Sequence, residues 1–333
     1  MIKFYQGYKI EKYQKLNSSI YLILFLKRGC RLYVRNNSLS ISVFEKYWQF
    51  ETNLGSFLKN IYCFFMKHKP LRFFFKRKEI FSKKNELITH FIYKSLEQKK
   101  LIFKGDNRGV LKFVEKAYCS SSKDKFKNEK KALTLVNSNL IPKVSEIKNE
   151  MLSITYAYVD NIIEADLNSI CLLDIFLELQ VSESQKLKHI LDYKKIKELR
   201  LDEVLNNKEY VSDLPLFFIH GDVAPWNIRK DNTKFKLIDW EFFEESGFPI
   251  FDLFYYYYNY NYLIKKRTPQ LEEFLSTSLF ELYVKKLNLN NSQVFVCLLL
   301  SMEKYVHRYP KRKSLITRRF KKWIITKGSS HVG

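Results

Sequence analysis

Asp222, Asn227 and Asp239 are the side chains of this 333-residue chain whose types and spacing best suit chemistry. They lie in the stretch F-F-I-H-G-D-V-A-P-W-N-I-R-K-D-N-T-K-F-K-L-I-D-W-E-F-F-E-E-S-G-F-P-I-F-D-L, from Phe217 to Leu253. Two short apolar runs, Leu216 to Ile219 and Phe235 to Ile238, each end in a polar group. After the first come His220-Gly221-Asp222 and then Asn227; after the second comes Asp239. Oxygens delivered from two strand ends across a tight loop suit a task that brings a divalent cation and an attacking hydroxyl together. One carboxylate accepts the hydroxyl proton, and hard oxygen ligands hold the cation. Singly, each Asp or Asn fits a turn cap. The ordered set of His220, Gly221, Asp222, Asn227, Asp239, Trp240, Glu241, Gly247, Pro249 and Asp252 is not accounted for in that way.

That requirement is the one phosphoryl transfer sets, where a protein positions the hydroxyl in line and holds Mg²⁺ against the phosphates. Protein kinases space the parts as H-R-D-x-x-x-x-N followed by D-F-G; the same slots here read H-G-D-V-A-P-W-N and D-W-E. The stretch resembles the aminoglycoside phosphotransferase and choline kinase superfamily of small-molecule kinases, and G-F-P-I-F-D-L resembles that family's G-x-P-x-x-D-L segment. H-G-D-x-A-P-W-N with D-W-E is similar to bacterial kinase-like proteins, some encoded beside surface-polysaccharide genes. The resemblance implies an α+β, bilobal, protein-kinase-like fold with a small β-rich N-lobe and a larger, mainly helical C-lobe. It implies ATP and Mg as cofactors, Asp222 as catalytic base, Asn227 and Asp239 as Mg²⁺ ligands, Asp252 as a brace of the catalytic loop and His220 as a structural residue behind it.

The elements that position these groups are read from pattern. Leu101 to Tyr118 reads as a β-hairpin with Asp106-Asn107-Arg108-Gly109 as its turn. A helix follows from about Lys125, with Phe126, Leu133 and Val136 near one stripe. Glu129 on that helix, in N-E-K-K-A-L, resembles the family's N-E-x-x-x-L and is the expected partner of a strand lysine that holds the nucleotide phosphates. Lys116 and Lys112 compete for that role on one strand face, with Lys116 preferred for its shorter separation from Glu129. No glycine-rich loop precedes the hairpin, where the chain reads K-S-L-E-Q-K-K. Ile141 to Val144 and Leu152 to Val159 read as strands, and Ile162–Leu179 and Leu187–Leu205 as helices. An aromatic helix is expected at Phe251–Leu263, and further helices at Leu271–Leu287 and Val294–Tyr309. Upstream, Ser19 to Val34 is strand-like and Phe44 to Phe65 has helical spacing. The expected organisation is an N-terminal extension and start of the N-lobe over 1–90, an N-lobe over 91–160, and a C-lobe with a basic tail over 161–333.

Composition sets the remaining bounds. Hydrophobic residues make up 46% of the chain and aromatics 16%, which predicts a packed fold rather than disorder. The net charge of +23 suits a phosphorylated substrate or anionic lipid, and an AT-rich coding bias yields the same lysine-rich balance. The basic, ring-rich segment Lys67–Lys84 reads as a solvated basic face with buried rings, with single-stranded nucleic acid or a membrane surface as the alternative, and Lys304–Lys327 suits peripheral contact with an anionic membrane. Five scattered cysteines form neither a zinc pattern nor a disulfide framework. No apolar run is long enough for a transmembrane helix, and the N-terminus makes a poor signal peptide, so a cytoplasmic protein is expected, with nucleic acid not the expected partner. Between Asp239 and Asp252 there is no room for an activation loop or a peptide-binding platform, so the expected acceptor is a hydroxyl on a small molecule or glycan intermediate. The competing reading is a catalytically weak or inactive kinase-like binding protein, or a basic membrane-surface or nucleic-acid-binding protein. Trp226 and Trp240 read as core aromatics, with stacking on a ligand ring as the alternative. Sequence specifies neither the acceptor nor the oligomeric state.

Overall fold

The computed structural model describes residues 16–25, 30–48, 53–83, 87–95, 99–161, 169–186, 214–231 and 234–309. The predicted helix at Leu187–Leu205, the start of the one predicted from Ile162, and the basic tail beyond 309 lie outside them. The fold is α+β, as predicted, and the chain divides into two compact units. One comprises residues 1–126 and 142–159, the other 127–141 and 160–333.

The first unit is built on an antiparallel sheet of eight strands. These are β1 (Leu16–Phe25), β2 (Arg31–Arg35), β3 (Lys76–Lys83), β4 (Ile88–Lys94), β5 (Lys100–Gly105), β6 (Leu111–Ala117), β7 (Val144–Lys148) and β8 (Ser153–Ala157), in the order β3-β1-β2-β4-β5-β6-β8-β7. Two helices, α1 (Ser38–Tyr47) and α2 (Asn53–Lys67), cover one face. Alternation along the strands puts Leu22, Leu24, Leu32, Val34 and Phe91 on that face, where they meet Ile41, Val43, Phe44, Cys63 and Met66. Trp48, at the end of α1, packs its ring against Phe91, Tyr93 and Phe103. The basic segment that opens at Lys67 becomes a 3₁₀ stretch, Lys69–Phe74, and then β3 at the sheet's edge.

The hairpin predicted at Leu101 forms as β5 and β6, with Leu101 opposite Lys116 and Phe103 opposite Val114. Its turn is held by Asp106, whose Oδ1 accepts from the amides of Arg108 at 2.9 Å and Val110 at 3.0 Å. Gly109 closes it at φ +84°, a conformation that glycine adopts without steric penalty.

Among the described residues the second unit carries two three-stranded sheets. One orders β10 (Gln180–Lys186), β11 (Pro215–Ile219) and β14 (Glu244–Gly247); the other orders β13 (Lys234–Leu237), β12 (Ile228–Asp231) and β9 (Asp160–Asn161). Among the described residues its helices are the later part of α3 (Lys123–Leu135), α4 (Ser169–Leu177), α5 (Phe251–Asn259), α6 (Leu271–Leu275), α7 (Ser278–Lys286) and α8 (Asn291–Arg308). The predicted aromatic helix at Phe251–Leu263 is α-helical only to Asn259; Tyr260–Ile264 is a π-helical turn. Buried Asn261 stabilises that widening, donating to the Tyr257 carbonyl at 2.9 Å and accepting from Arg267 Nε at 2.7 Å. Phe254, Tyr255, Phe274 and Tyr305 form the aromatic centre of this unit. Among the described residues no helix is long and apolar enough to cross a membrane.

Candidate active site

The site grows from the end of β11. After Ile219 the strand runs into His220 and then Gly221, whose φ of +80° lets the chain reverse sharply. Asp252 fixes that reversal: its Oδ2 accepts from the His220 amide at 2.8 Å and its Oδ1 from the Gly221 amide at 2.9 Å. One carboxylate thus satisfies two consecutive buried backbone donors that no strand ladder pairs. Asp252 sits in the first turn of α5, where an acidic residue also meets the positive end of the helix dipole. Burial pushes its carboxyl up to about 7, against the pull of the two amides. The residue that aims this helix, Ile250, has φ +75°, an outlier for a β-branched side chain. Complete burial holds Ile250 in place, and its carbonyl accepts the Phe254 amide at 2.8 Å.

His220 is fully buried behind the loop. Its Nδ1 accepts from the Asp222 amide at 3.1 Å, which requires Nδ1 to carry no proton. The proton is therefore on Nε2, which donates to the Ile238 carbonyl at 3.0 Å. The ring links the two strand ends as a neutral tautomer and stacks obliquely on Trp240, 4.5 Å between centroids. Trp240 itself is fully buried and donates to the Leu237 carbonyl at 2.9 Å, so it is a core ring closed to ligands, whereas Trp226 is half-buried.

Asp222 and Asn227 are brought together. Asn227 Nδ2 donates both to the Asp222 carbonyl at 2.9 Å and to Asp222 Oδ2 at 3.0 Å. Two acceptors on that side fix which end of the amide is nitrogen, and leave Oδ1 as the end suited to a cation. A short 3₁₀ turn, Pro225–Asn227, and the pairing of the Asn227 carbonyl with the Ile238 amide at 2.9 Å hold the asparagine against the end of β13. Asp239 follows at φ +71°, a left-handed position that Asp tolerates better than most residues. Burial pushes the Asp222 carboxyl up to about 6, and the nearby charge of Asp239 adds to the rise. Hydrogen bonds from Tyr255 and Asn227 and the charge of Arg308 pull the other way. Two mutually repelling carboxylates and an asparagine whose amide nitrogen is already engaged are a donor set that fits a hard divalent cation, and Mg²⁺ sites commonly use only one or two carboxylates together with substrate phosphates. Among the described residues no group of three or more His, Cys, Asp or Glu side chains is placed to hold a metal ion.

Tyr255, Arg308 and Tyr309 also converge on this loop, and sequence reading did not single them out. Tyr255 Oη donates to Asp222 Oδ1 at 2.7 Å, Tyr255 and Tyr309 share a hydroxyl contact of 2.5 Å, and Arg308 Nη1 donates to the Gly221 carbonyl. One signal was present: Tyr255 stands three residues after Asp252, on the same face of a helix. Tyr256, four residues after, meets that criterion equally.

The residues expected on the nucleotide side lie in the first unit for Lys116 and the second for Glu129. Lys116 is 4% exposed and Glu129 is fully buried. Lys112, on the same strand, is exposed and ion-pairs with Asp106 at 4.0 Å.

No protein-family model matches the chain, and no curated protein matches it. Among solved structures, it is similar to choline kinase LicA from Streptococcus pneumoniae, at 16% identity over 74% of this chain and 91% of that one, with a TM-score of 0.42. A thermostable mutant of aminoglycoside phosphotransferase APH(4)-Ia, in ternary complex with ADP and hygromycin B, is similar at 12% identity over 71% and 92%, with a TM-score of 0.41. A putative fructosamine-3-kinase from Haemophilus somnus 129PT is similar at 12% identity over 72% and 90%, with a TM-score of 0.42.

Proposed function

We propose that the protein is an ATP- and Mg-dependent phosphotransferase acting on a hydroxyl of a small molecule or glycan intermediate. The observation that carries this reading is the Asp222 carboxylate, held by the Asn227 amide and raised toward neutrality by burial and by Asp239. A carboxylate so placed is ionised near neutral pH and basic enough to take up a proton. In the proposed reaction Asp222 accepts the proton of the acceptor hydroxyl as it attacks. Asn227 Oδ1 and Asp239 would hold Mg²⁺, which when bound neutralises charge on the transferring phosphoryl group. Asp252 and His220 keep the loop in register through the bonds described above.

Lys116 and Glu129 are the charges assigned to the nucleotide. Lys116 is preferred over Lys112, which is exposed and already ion-paired with Asp106 at 4.0 Å. A small acceptor is supported by the segment between Asp239 and Asp252. Its Glu244–Gly247 forms β14 and pairs with β11, leaving no long activation loop.

The test is a thermal-shift titration with Mg·ATP, followed by a screen of labelled ATP against pooled metabolites. Asp222→Asn and Asp239→Asn are expected to abolish transfer while leaving a folded protein. The absence of any shift with Mg·ATP, or retained turnover in Asp239→Asn, would refute the assignment.

Peripheral attachment to anionic membrane accompanies this reading. Phe57 and Phe64 lie one heptad apart on α2 and are 60% and 56% exposed, with Lys67 and His68 exposed beside them. Flotation with phosphatidylglycerol vesicles that is weakened by salt supports it, and salt-insensitive binding or none overturns it.

A further inference from the structure

We propose that Tyr255, held in turn by Tyr309 and Arg308 at the end of α8, is the positioning residue that fixes the carboxylate of Asp222 for proton acceptance. The inference rests on the phosphotransferase reading and adds to it a control that runs from the C-terminal end of α8 into the base.

A carboxylate has two torsions to fix, and here each oxygen has its own donor. Asn227 Nδ2 holds Oδ2 at 3.0 Å and Tyr255 Oη holds Oδ1 at 2.7 Å. The donors come from different elements, the loop itself and α5, so together they define the plane of the group. Each oxygen keeps a second lone pair for an incoming proton. The ionised carboxylate can only accept, so the Tyr255 proton must point at Asp222. The Tyr255 oxygen then accepts from Tyr309, and the order Tyr309 to Tyr255 to Asp222 follows from chemistry alone.

Tyr255 has little freedom to move elsewhere. It is fully buried, with Phe251, Tyr305 and Tyr309 around its ring. Arg308 stacks over Phe242 at 3.7 Å and lies 5.3 Å from the centre of the Tyr255 ring, while donating to the Gly221 carbonyl. The last residue of α8 and the one after it therefore touch the peptide before the base, the phenol that holds the base, and the loop that follows Asp239. The Tyr255 hydroxyl reaches Asp222 directly and that of Tyr309 reaches the Tyr255 hydroxyl, so the role assigned to both is exerted through the Asp222 carboxylate.

The test uses the full chain, Mg·ATP with water as acceptor, and the variants Tyr255→Phe, Tyr309→Phe and their double. Tyr255→Phe preserves ring volume and is expected to lower kcat by about 10- to 100-fold with KM for ATP changed less than about two-fold. Tyr309→Phe is expected to lower kcat less, and the double variant to match Tyr255→Phe, because Tyr309 acts through Tyr255. Ring-carbon NMR of labelled tyrosine gives a second readout independent of turnover: the Tyr255 resonance is expected to move in Asp222→Asn and in Tyr309→Phe. An unchanged kcat in Tyr255→Phe, additive losses in the double variant, or a Tyr255 resonance indifferent to Asp222→Asn each overturns the proposal. A wild-type protein whose Tyr255 resonance responds but which neither binds nor turns over Mg·ATP overturns the phosphotransferase reading instead, and the catalytic part of the proposal with it.

Discussion

Replacing Gly221 with Ala tests how far backbone geometry holds the loop that carries Asp222. At φ +80° any L side chain is strained, and the αL conformation costs about 1–2 kcal/mol. A Cβ at this position also stands 2.9 Å from the Phe242 carbonyl oxygen, 3.0 Å from Phe242 Cβ and 3.1 Å from Arg308 Nη1. The guanidinium can swing away, but the Phe242 carbonyl is backbone and cannot yield without moving the loop after Asp239. Overpacking of this kind adds about 1–3 kcal/mol, for a total loss of about 2–5 kcal/mol. Urea denaturation followed by tryptophan fluorescence, with Trp48 in the first unit and Trp226 and Trp240 in the second, and by circular dichroism measures it. Gly109→Ala provides the comparison: its φ of +84° carries the same conformational penalty, but its close neighbours are the side-chain ends Leu39 Cδ1 and Val43 Cγ2, which can shift. The smaller loss is therefore expected at Gly109. A Gly221→Ala protein within about 0.5 kcal/mol of wild type, or one less affected than Gly109→Ala, would refute the reasoning.

Three further outcomes are expected. Because burial raises Asp222 from 3.8 to about 6, the folded state holds its proton over a range where the unfolded chain has lost it; that stability is present below about pH 4 and is lost as pH rises through 6. In metal-free buffer Asp222→Asn should then be close to wild type at pH 4 and more stable at pH 8, by on the order of 3 kcal/mol, which parallel urea titrations at the two pH values check. Activity follows the opposite limb, with kcat/KM rising as Asp222 ionises; Tyr255→Phe, which removes a donor to the ionised form, should move that limb to higher pH in a pH–rate profile. Lys116→Met should remove the thermal shift produced by Mg·ATP while Lys112→Met keeps it, and the reverse result would transfer the nucleotide role to Lys112.

How far the sequence revealed this arrangement depended on whether the determining interactions were local. The Leu101 hairpin was legible because Asp106 and Gly109 build its turn within five residues. The proximity of Asp222 and Asn227 was legible because a strand end and a short turn bring them together within one stretch. The sheet order was not legible. Pairing of β1 with β3 joins residues about sixty apart, through side chains whose alternation would fit several partners. Four consecutive tyrosines, Tyr255 to Tyr258, carry no phase by themselves, so only packing selects Tyr255 to face Asp222. Arg308 reaches Gly221 from 87 residues away, and a lysine- and arginine-rich segment gives no hint of it. Trp240 could be read as core or as a ligand platform until its complete burial was seen.

The chain passes between the two units after residues 126, 141 and 159, and that threading has a consequence for biosynthesis. Residues 127–141 emerge early, but the bonds that seat them, from Lys236 Nζ to the Ser138 carbonyl and from the Leu237 amide to the Leu140 carbonyl, wait for a segment 98 residues downstream in the first case. At ribosomal speeds that interval is about 5–20 s. Ala132, Val136 and Leu140, buried in the finished protein, have none of those later partners while it lasts. The nascent chain therefore offers chaperones a defined window, and neither unit can be made alone as one uninterrupted fragment.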